Sequence, residues 1–320
     1  MTELESIYRP IRDELNKVES VLAAIAQQMD PDLAEALSGF LLSRGKRLRP
    51  ALLVFSSKFG NGSADVSRLA AAVELVHSAA LLHDDVVDHA EIRRGSVAAS
   101  KKLGQSAALV LGNYIYSKAF ELMPNSNGLR QQLSTATSMM CFGEALQLAR
   151  RGDLNIGLGD YIHMAGKKTA YLTSACCSIG AVWGQADPEV CCSLAAYGLL
   201  FGLAYQIRDD CLDLEGEWET TGKSRYNDFA EGNATLPLMV ALPSMNEKEK
   251  KRASSMLKGS EEVDIAWLIE TIEGYDGIQK SMALAEEFSK KAALSLEAMP
   301  DSQTKESLRL LTTYCVERNS

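Results

Sequence analysis

The sequence predicts an all-α protein, and three observations carry that prediction. Only 8 prolines occur in 320 residues, at positions 10, 31, 50, 124, 188, 237, 243 and 300. The long stretches between them are rich in Ala, Leu, Glu, Lys and Met, which lose little freedom in a helix. Apolar residues recur at spacings of three and four, as in Leu69, Ala72, Val73, Val76 and Ala80, or Tyr197, Phe201 and Tyr205. The strict alternation that marks a half-buried strand is missing.

From the N- to the C-terminus, helices should be separated where Gly, Asn, Ser and Pro cluster: residues 59–63 (FGNGS), 124–128 (PNSNG), 151–159 and 184–188. No segment reads as an interdomain linker or a solenoid repeat. The expectation is one all-α domain over residues 1–320, with about ten or more helices and the most apolar of them central. The longest apolar run, 194–205, has 12 residues and suits a buried helix better than a bilayer crossing. The N-terminal MTELESIYRPIRDEL is charged and has no apolar h-region, so neither a signal peptide nor an integral membrane segment is expected.

Lys and Arg total 33 and Asp and Glu 42, a net charge of −9, with a pI near 5.1. That balance argues against nucleic-acid and anionic-membrane binding, which use an excess of positive charge. The seven cysteines form two vicinal pairs (Cys176–Cys177, Cys191–Cys192) and three singles, with no CxxC and no zinc spacing. Buried, reduced thiols in a cytoplasmic protein are the expected reading.

The chemistry is announced by two aspartate clusters. LLHDDVVD contains Asp84, Asp85 and Asp88; RDDCLDL contains Asp209, Asp210 and Asp213. With 17 aspartates in the chain, chance yields roughly 0.05 Asp-Asp-x-x-Asp triplets, so two are not accidental. On a helix, i and i+4 share a face, which brings Asp84 to Asp88 and Asp209 to Asp213. Like charges there repel, and both clusters sit near the negative end of a helix dipole. A divalent cation relieves this, and hard carboxylate oxygens with room for water and phosphate favour Mg²⁺. The spacing is not that of a calcium EF-hand loop. Two facing clusters therefore suggest a diphosphate held between them by Mg²⁺.

Basic groups match such a ligand. RGKRLRP supplies Lys46, Arg47 and Arg49; Arg93 and Arg94 precede Gly95; Lys167, Lys168 and Thr169 form a third group; Lys223 follows Asp213 by ten residues. Arg offers a bidentate fork to phosphate and Lys a point charge.

In this order, GKRLRP, HDDVVD followed by RRG, GKKTAYL, YQIRDDCLD, a Lys and TLP, the chain resembles the trans-isoprenyl diphosphate synthase (polyprenyl synthetase) family. The resemblance runs from about Gly45 to Pro237. It implies a large helical bundle of the isoprenoid synthase type with a central active-site cavity, and a homodimer. The implied enzyme joins isopentenyl diphosphate to an allylic diphosphate and releases pyrophosphate. The resemblance further implies three Mg²⁺ ions per site. Asp84 and Asp88, supported by Asp85, would hold two of them; Asp209 would lead the third site, with Asp210 and Asp213 as direct or water-mediated partners. Arg93, Lys168 and Lys223 would contact the allylic diphosphate. Lys46, Arg49, His77 and Arg94 would hold isopentenyl diphosphate, and Thr169 and Gln206 would line the reacting centre. Tyr205, one turn before Asp209, could offer its ring face to a cation. Three positions depart from the family's pattern: Arg44 stands in place of a second glycine, Gly112–Asn113 in place of Gly-Asp, and Asn233 in place of a Lys.

A growing product should run down the helix that bears Asp84, where one turn of about 5.4 Å is close to one isoprene unit. The residues along that path are Ala80, Val76, and Ala72 or Val73, flanked by Ala79. In the family a bulky residue four or five positions before the first Asp limits products to about fifteen or twenty carbons. Both positions are Ala here, which implies a product of about thirty to fifty carbons from a farnesyl or geranylgeranyl primer. A floor near residues 139–142 is a further candidate. Three rivals fit less well. A class I terpene cyclase has one DDxxD and no GKRLRP; an HD-type phosphohydrolase built on His77, His83 and Asp84 leaves the second Asp cluster unexplained; a non-catalytic subunit usually loses one cluster.

Overall fold

In a computed structural model, residues 3–43, 45–93, 96–126, 128–215 and 227–318 are described, residues 32, 93, 96 and 227 by their backbone alone. Eleven helices carry the first two thirds of the chain: α1 Glu3–Ile7, α2 Arg12–Ala26, α3 Pro31–Leu41, α4 Leu48–Ser57, α5 Ser67–Val87, α6 Ala99–Leu103, α7 Gln105–Leu122, α8 Leu129–Ala149, α9 Leu158–Ala165, α10 Tyr171–Trp183 and α11 Pro188–Glu215. Later helices include Leu236–Ala241, Glu247–Leu257, Ile265–Gly274, Gly277–Leu294 and Gln303–Glu317. Among the described residues the only β-structure is an antiparallel pair, Ile92–Arg93 with Ser96–Val97. The all-α expectation holds. The expected breaks fall between helices, except that 151–159 runs into the first turn of α9. There Asp160 Oδ2 accepts the Gly157 N–H at 3.2 Å, so the acidic residue caps the helix instead of joining the loop.

Burial explains the architecture. Residues 69–76 of α5 are all buried, because Ala, Leu and Val cover every side of that segment. α10 lies between α4 and α11, and glycine sets its distance from each. A Cβ on Gly180 would stand 2.1 Å from the Leu53 carbonyl oxygen, and one on Gly202 would stand 2.2 Å from Thr173 Oγ1. α11 serves two apolar clusters at once. Leu194, Tyr197, Phe201 and Ala204 join the larger one with α4, α5 and α10. Leu203, Ile207, Cys211 and Leu214 join a second, built with the later helices. Among the described helices, Pro188–Glu215 alone is long and apolar enough to cross a membrane by composition. Its apolar side chains are spent on these two clusters, and its last turns carry Arg208, Asp209, Asp210 and Asp213. The link from α9 to α10 and the last turns of α11 line one cleft.

Candidate active site

Asp84 and Asp88 are partly exposed at the end of α5, and Asp85 between them is wholly buried. The helical phase therefore separates the three as the spacing requires: two carboxylates keep exposed surface and the third turns inward. Arg151, just beyond α8, donates to Asp88 Oδ1 at 2.8 Å and stands 3.6 Å from Glu231. Burial, with the charges of Asp88 and Asp228, pushes the Glu231 carboxyl well above the usual range. Negative charge is thus in excess on this side of the cleft.

The basic motif is organised by Arg47. Its backbone is left-handed, with φ 48°, a conformation non-glycine residues rarely adopt. The guanidinium repays that strain with four hydrogen bonds: Nε and Nη2 to Glu19 at 2.6 and 3.1 Å, Nη1 to Glu74 at 2.7 Å, and Nη2 to the Leu41 carbonyl at 2.7 Å. Arg47 is therefore structural, and Lys46 and Arg49 flank it half-buried. Arg49 Nε is buried without an acceptor, which suits an anionic ligand. Burial and the Arg318 charge push Lys46 down to about 8, with Asp209 opposing. His77 is half-buried two turns before Asp84 on α5.

Lys168 and Thr169 occupy a π-helical turn, Gly166–Ala170, between α9 and α10. Such turns widen the helix locally and recur at functional sites. α8 can press against it because residue 143 is glycine: a Cβ there would lie 2.5 Å from Lys168 N. Lys168 Nζ pairs with Glu144 at 2.7 Å and donates to Gln147 at 3.0 Å. Burial disfavours its charge, but Glu144 and Asp84 outweigh burial and hold the proton on. Lys167 turns the other way, 4.0 Å above the Phe142 ring. Thr169 Oγ1 donates to Gln206 Oε1 at 2.6 Å, and this one bond joins the lysine turn to the helix of the second acidic cluster.

On α11, Asp209 is the accessible member, its side chain 42% exposed. Arg318 Nη2 donates to it at 2.5 Å. The Arg318 guanidinium also lies 3.9 Å from the Tyr205 ring centroid, so one face of that ring holds a cation of the protein's own. Asp210 is 4% exposed and accepts from Tyr161, Gln206 and the Leu236 N–H. Burial and the Asp228 charge still push it up to about 7. Its three donors fix the carboxylate at the wall of the cleft. Asp213 is half-buried. A cleft of about 530 Å³, its open mouth included, is lined by Lys168, Gln206, Asp210, Asp228 and Tyr161 among others.

Of the expected site residues, Lys168, Gln206 and Asp210 line this cleft; Thr169 is bonded to Gln206, Asp84 acts on the Lys168 charge, and Asp209 acts on that of Lys46. Of the product-path residues, Val76 and Ala79 are wholly buried and Ala80 alone keeps exposed surface. Arg94 and Lys223 lie outside the described residues, and Arg93 is described by its backbone in the short β pair. Among the described residues no three His, Cys, Asp or Glu side chains form a ready-made metal cage. The donors are hard oxygens, and the surplus charge at Glu231 and the arginines drawn to Asp88 and Asp209 mark where a cation fits. Sequence reasoning missed Glu144, Gln147, Arg151, Tyr161, Asp228, Glu231 and Arg318. Glu144 and Gln147 left a signal, an i,i+3 polar pair on a largely apolar helix; the rest come from loops and distant helices with no fixed spacing.

A family model described as "Polyprenyl synthetase" matches residues 30–272. The chain is 33% identical over 308 residues to "Short chain isoprenyl diphosphate synthase" of Methanothermobacter thermautotrophicus, covering 94% of each chain. It is 31% identical over 320 residues to "Heptaprenyl diphosphate synthase component 2" of Geobacillus stearothermophilus, covering 99% of each. The solved polyprenyl synthase of Caulobacter crescentus CB15, described as complexed with calcium and isoprenyl diphosphate, superposes with a TM-score of 0.94 at 33% identity, covering 99% of this chain and 98% of that one.

Proposed function

The chain belongs to the polyprenyl synthetase family and is a prenyl diphosphate synthase, a transferase; from that premise we propose that it extends a farnesyl or geranylgeranyl diphosphate primer with isopentenyl diphosphate to an all-trans product of about thirty to fifty carbons. The observation that carries the site assignment is the Thr169–Gln206 hydrogen bond with Lys168 beside Asp84 and Glu144. The bond ties the lysine turn to α11, and the charge of Asp84 on α5 acts on the same lysine. The chain length rests on the sequence, where Ala79 and Ala80 stand at the two positions before Asp84 at which a bulky residue would stop growth.

The residues divide the work. Asp84, Asp88 and Asp209 would hold Mg²⁺, three ions per site by family expectation, which supplies charge neutralisation for the departing diphosphate. Lys168, with Arg93 and Lys223, binds the allylic diphosphate. When its C–O bond breaks, the electron pair leaves with pyrophosphate, and Lys168 meets the growing charge with a proton held firmly by its neighbours. Lys46, Arg49, His77 and Arg94 place the isopentenyl double bond for attack on the allylic carbon. A proton then leaves the isopentenyl carbon skeleton, and pyrophosphate is the base that takes it. Thr169 and Gln206 direct dipoles at the cationic centre.

A homodimer is part of the proposal. It is supported by apolar residues left outside on α7 and α8: Leu109, Val110 and Phe142 are 40%, 68% and 48% exposed. Seven free cysteines suit a cytoplasmic, reducing setting. The deciding experiment incubates the protein with Mg²⁺, labelled isopentenyl diphosphate and farnesyl diphosphate, and reads product length by chromatography. A product beyond twenty-five carbons supports both chemistry and length. Products of fifteen or twenty carbons, from a shorter primer, keep the chemistry and overturn the length, in line with the short-chain relative. No product overturns both.

A further inference from the structure

Lys46 and Arg49 stand on either side of Arg47, whose backbone is left-handed at φ 48°. Residues 45–47 belong to no helix or strand, so their peptide planes have to be fixed from outside. The plane between Lys46 and Arg47 carries the Lys46 carbonyl. A peptide is rigid, so pinning that oxygen fixes the rotation about the Lys46 Cα–C bond and the Arg47 N–Cα bond together. The Tyr8 hydroxyl donates to it at 2.9 Å, across 38 residues of chain. No motif read from the sequence contains Tyr8.

Tyr8 is itself held. Its N–H donates to the Leu4 carbonyl and its carbonyl accepts the Ile11 N–H, both at 2.9 Å. Its ring centroid lies 6.4 Å from that of Phe55 on α4, the helix into which the basic loop leads. The preceding residue is tied to the C-terminal helix, where Ser307 Oγ donates to the Ile7 carbonyl at 3.2 Å. A phenylalanine ring would pack here equally well, so packing does not account for the hydroxyl on Lys46.

We propose that Tyr8 is a positioning residue for the isopentenyl diphosphate subsite: its hydroxyl holds the Lys46–Arg47 peptide in the orientation that sets Lys46 toward that diphosphate. The inference rests on the prenyl-transfer reading, in which Lys46 binds this substrate. Arg47 anchors the loop by its side chain, through Glu19 and Glu74; Tyr8 anchors it by its backbone. A left-handed φ is uphill for a residue with a Cβ. Without the hydroxyl the peptide gains other orientations, in which the Lys46 ammonium is misplaced. The loss falls on the substrate that Lys46 holds, and the allylic diphosphate at Lys168, on a different turn, is spared.

The test uses Tyr8→Phe, Lys46→Gln and the double variant of the full-length protein. Each is assayed for kcat and both KM values in Mg²⁺, and for binding of labelled isopentenyl diphosphate alone by equilibrium dialysis. Tyr8→Phe keeps the ring. It should raise KM and the dissociation constant for isopentenyl diphosphate about fivefold, the worth of one hydrogen bond, and leave kcat and KM for farnesyl diphosphate at their wild-type values. On top of Lys46→Gln the same change should cost less than about twofold, because the ammonium that the hydroxyl positions is gone. The positioning role is overturned, with prenyl transfer intact, by a Tyr8→Phe protein whose isopentenyl diphosphate binding is unchanged or whose two KM values rise equally. Wild-type binding in Lys46→Gln, or a full additive loss in the double variant, overturns it too. A wild-type protein that neither binds isopentenyl diphosphate nor forms product overturns prenyl transfer itself, and the role of Tyr8 with it.

Discussion

Arg47 shows how one side chain builds a binding site that it does not enter. Its four bonds to Glu19, Glu74 and Leu41 hold a left-handed turn with Lys46 and Arg49 on either side of it. Glu74 is 3% exposed, so Arg47→Ala strands a buried carboxylate. The expected loss is about 3–5 kcal/mol, read by urea denaturation. Lys46 adds a pH prediction. Its pKa of about 8 means that kcat/KM for isopentenyl diphosphate should be level below pH 8 and fall about tenfold per unit above it. The stability term has the opposite sign. The fold lowers this pKa from 10.5, so the charged form is penalised below about pH 8, and that penalty disappears as pH rises toward 10.5. Ala80 carries the third residue-scale prediction. Ala80→Phe should shorten the product to about fifteen or twenty carbons while retaining condensation, as chromatography of the prenyl products will show; an unchanged length removes Ala80 from the product path.

At the scale of elements, the site depends on helices approaching more closely than ordinary side chains permit. Gly143 lets α8 touch the π-helical turn, and Gly202 lets α11 touch α10 at Thr173 and Ala170. The Thr169–Gln206 bond spans that second contact. Gly202→Ala would place a methyl 2.5 Å from Ala170 Cα, and the helices must separate. Overpacking of this kind costs about 1–3 kcal/mol. We expect a lower thermal midpoint and a fall in kcat larger than the fall in stability explains, because the reacting-centre dipoles lie on the displaced contact.

Across the whole molecule, segments far apart in sequence neutralise one another. Arg151 reaches Asp88, and Arg318 reaches Asp209 while its own carbonyl accepts from Arg208. The C-terminal arm is thereby tied into α11 beside Lys46. On the proposed reading, Mg²⁺ offsets the carboxylates gathered here and the diphosphate binds with it. Mg²⁺ with pyrophosphate at 100 times the dissociation constant should add about 2.7 kcal/mol of stability, seen as a raised thermal midpoint. The shift should vanish in an Asp84→Asn, Asp88→Asn double variant.

By itself the sequence determined the all-α class, the helix breaks, and the two acidic clusters with the lysines and arginines that answer them. These are matters of local period and residue type: an i, i+4 pair of aspartates shares a face in any helix. The tertiary structure decided which members of each motif do which task. Asp84 and Asp88 keep exposed surface and Asp85 is buried; Arg47 is taken up by Glu19 and Glu74; Asp210 is buried under three donors where Asp209 is exposed; the Tyr205 ring faces Arg318. It also brought in Tyr161, Asp228, Glu231 and Arg318, which no spacing in the chain foretells. The reason is physical. Periodicity sets the direction of a side chain relative to its own helix, whereas burial, charge partners and hydrogen-bond partners are set by the neighbours that packing supplies.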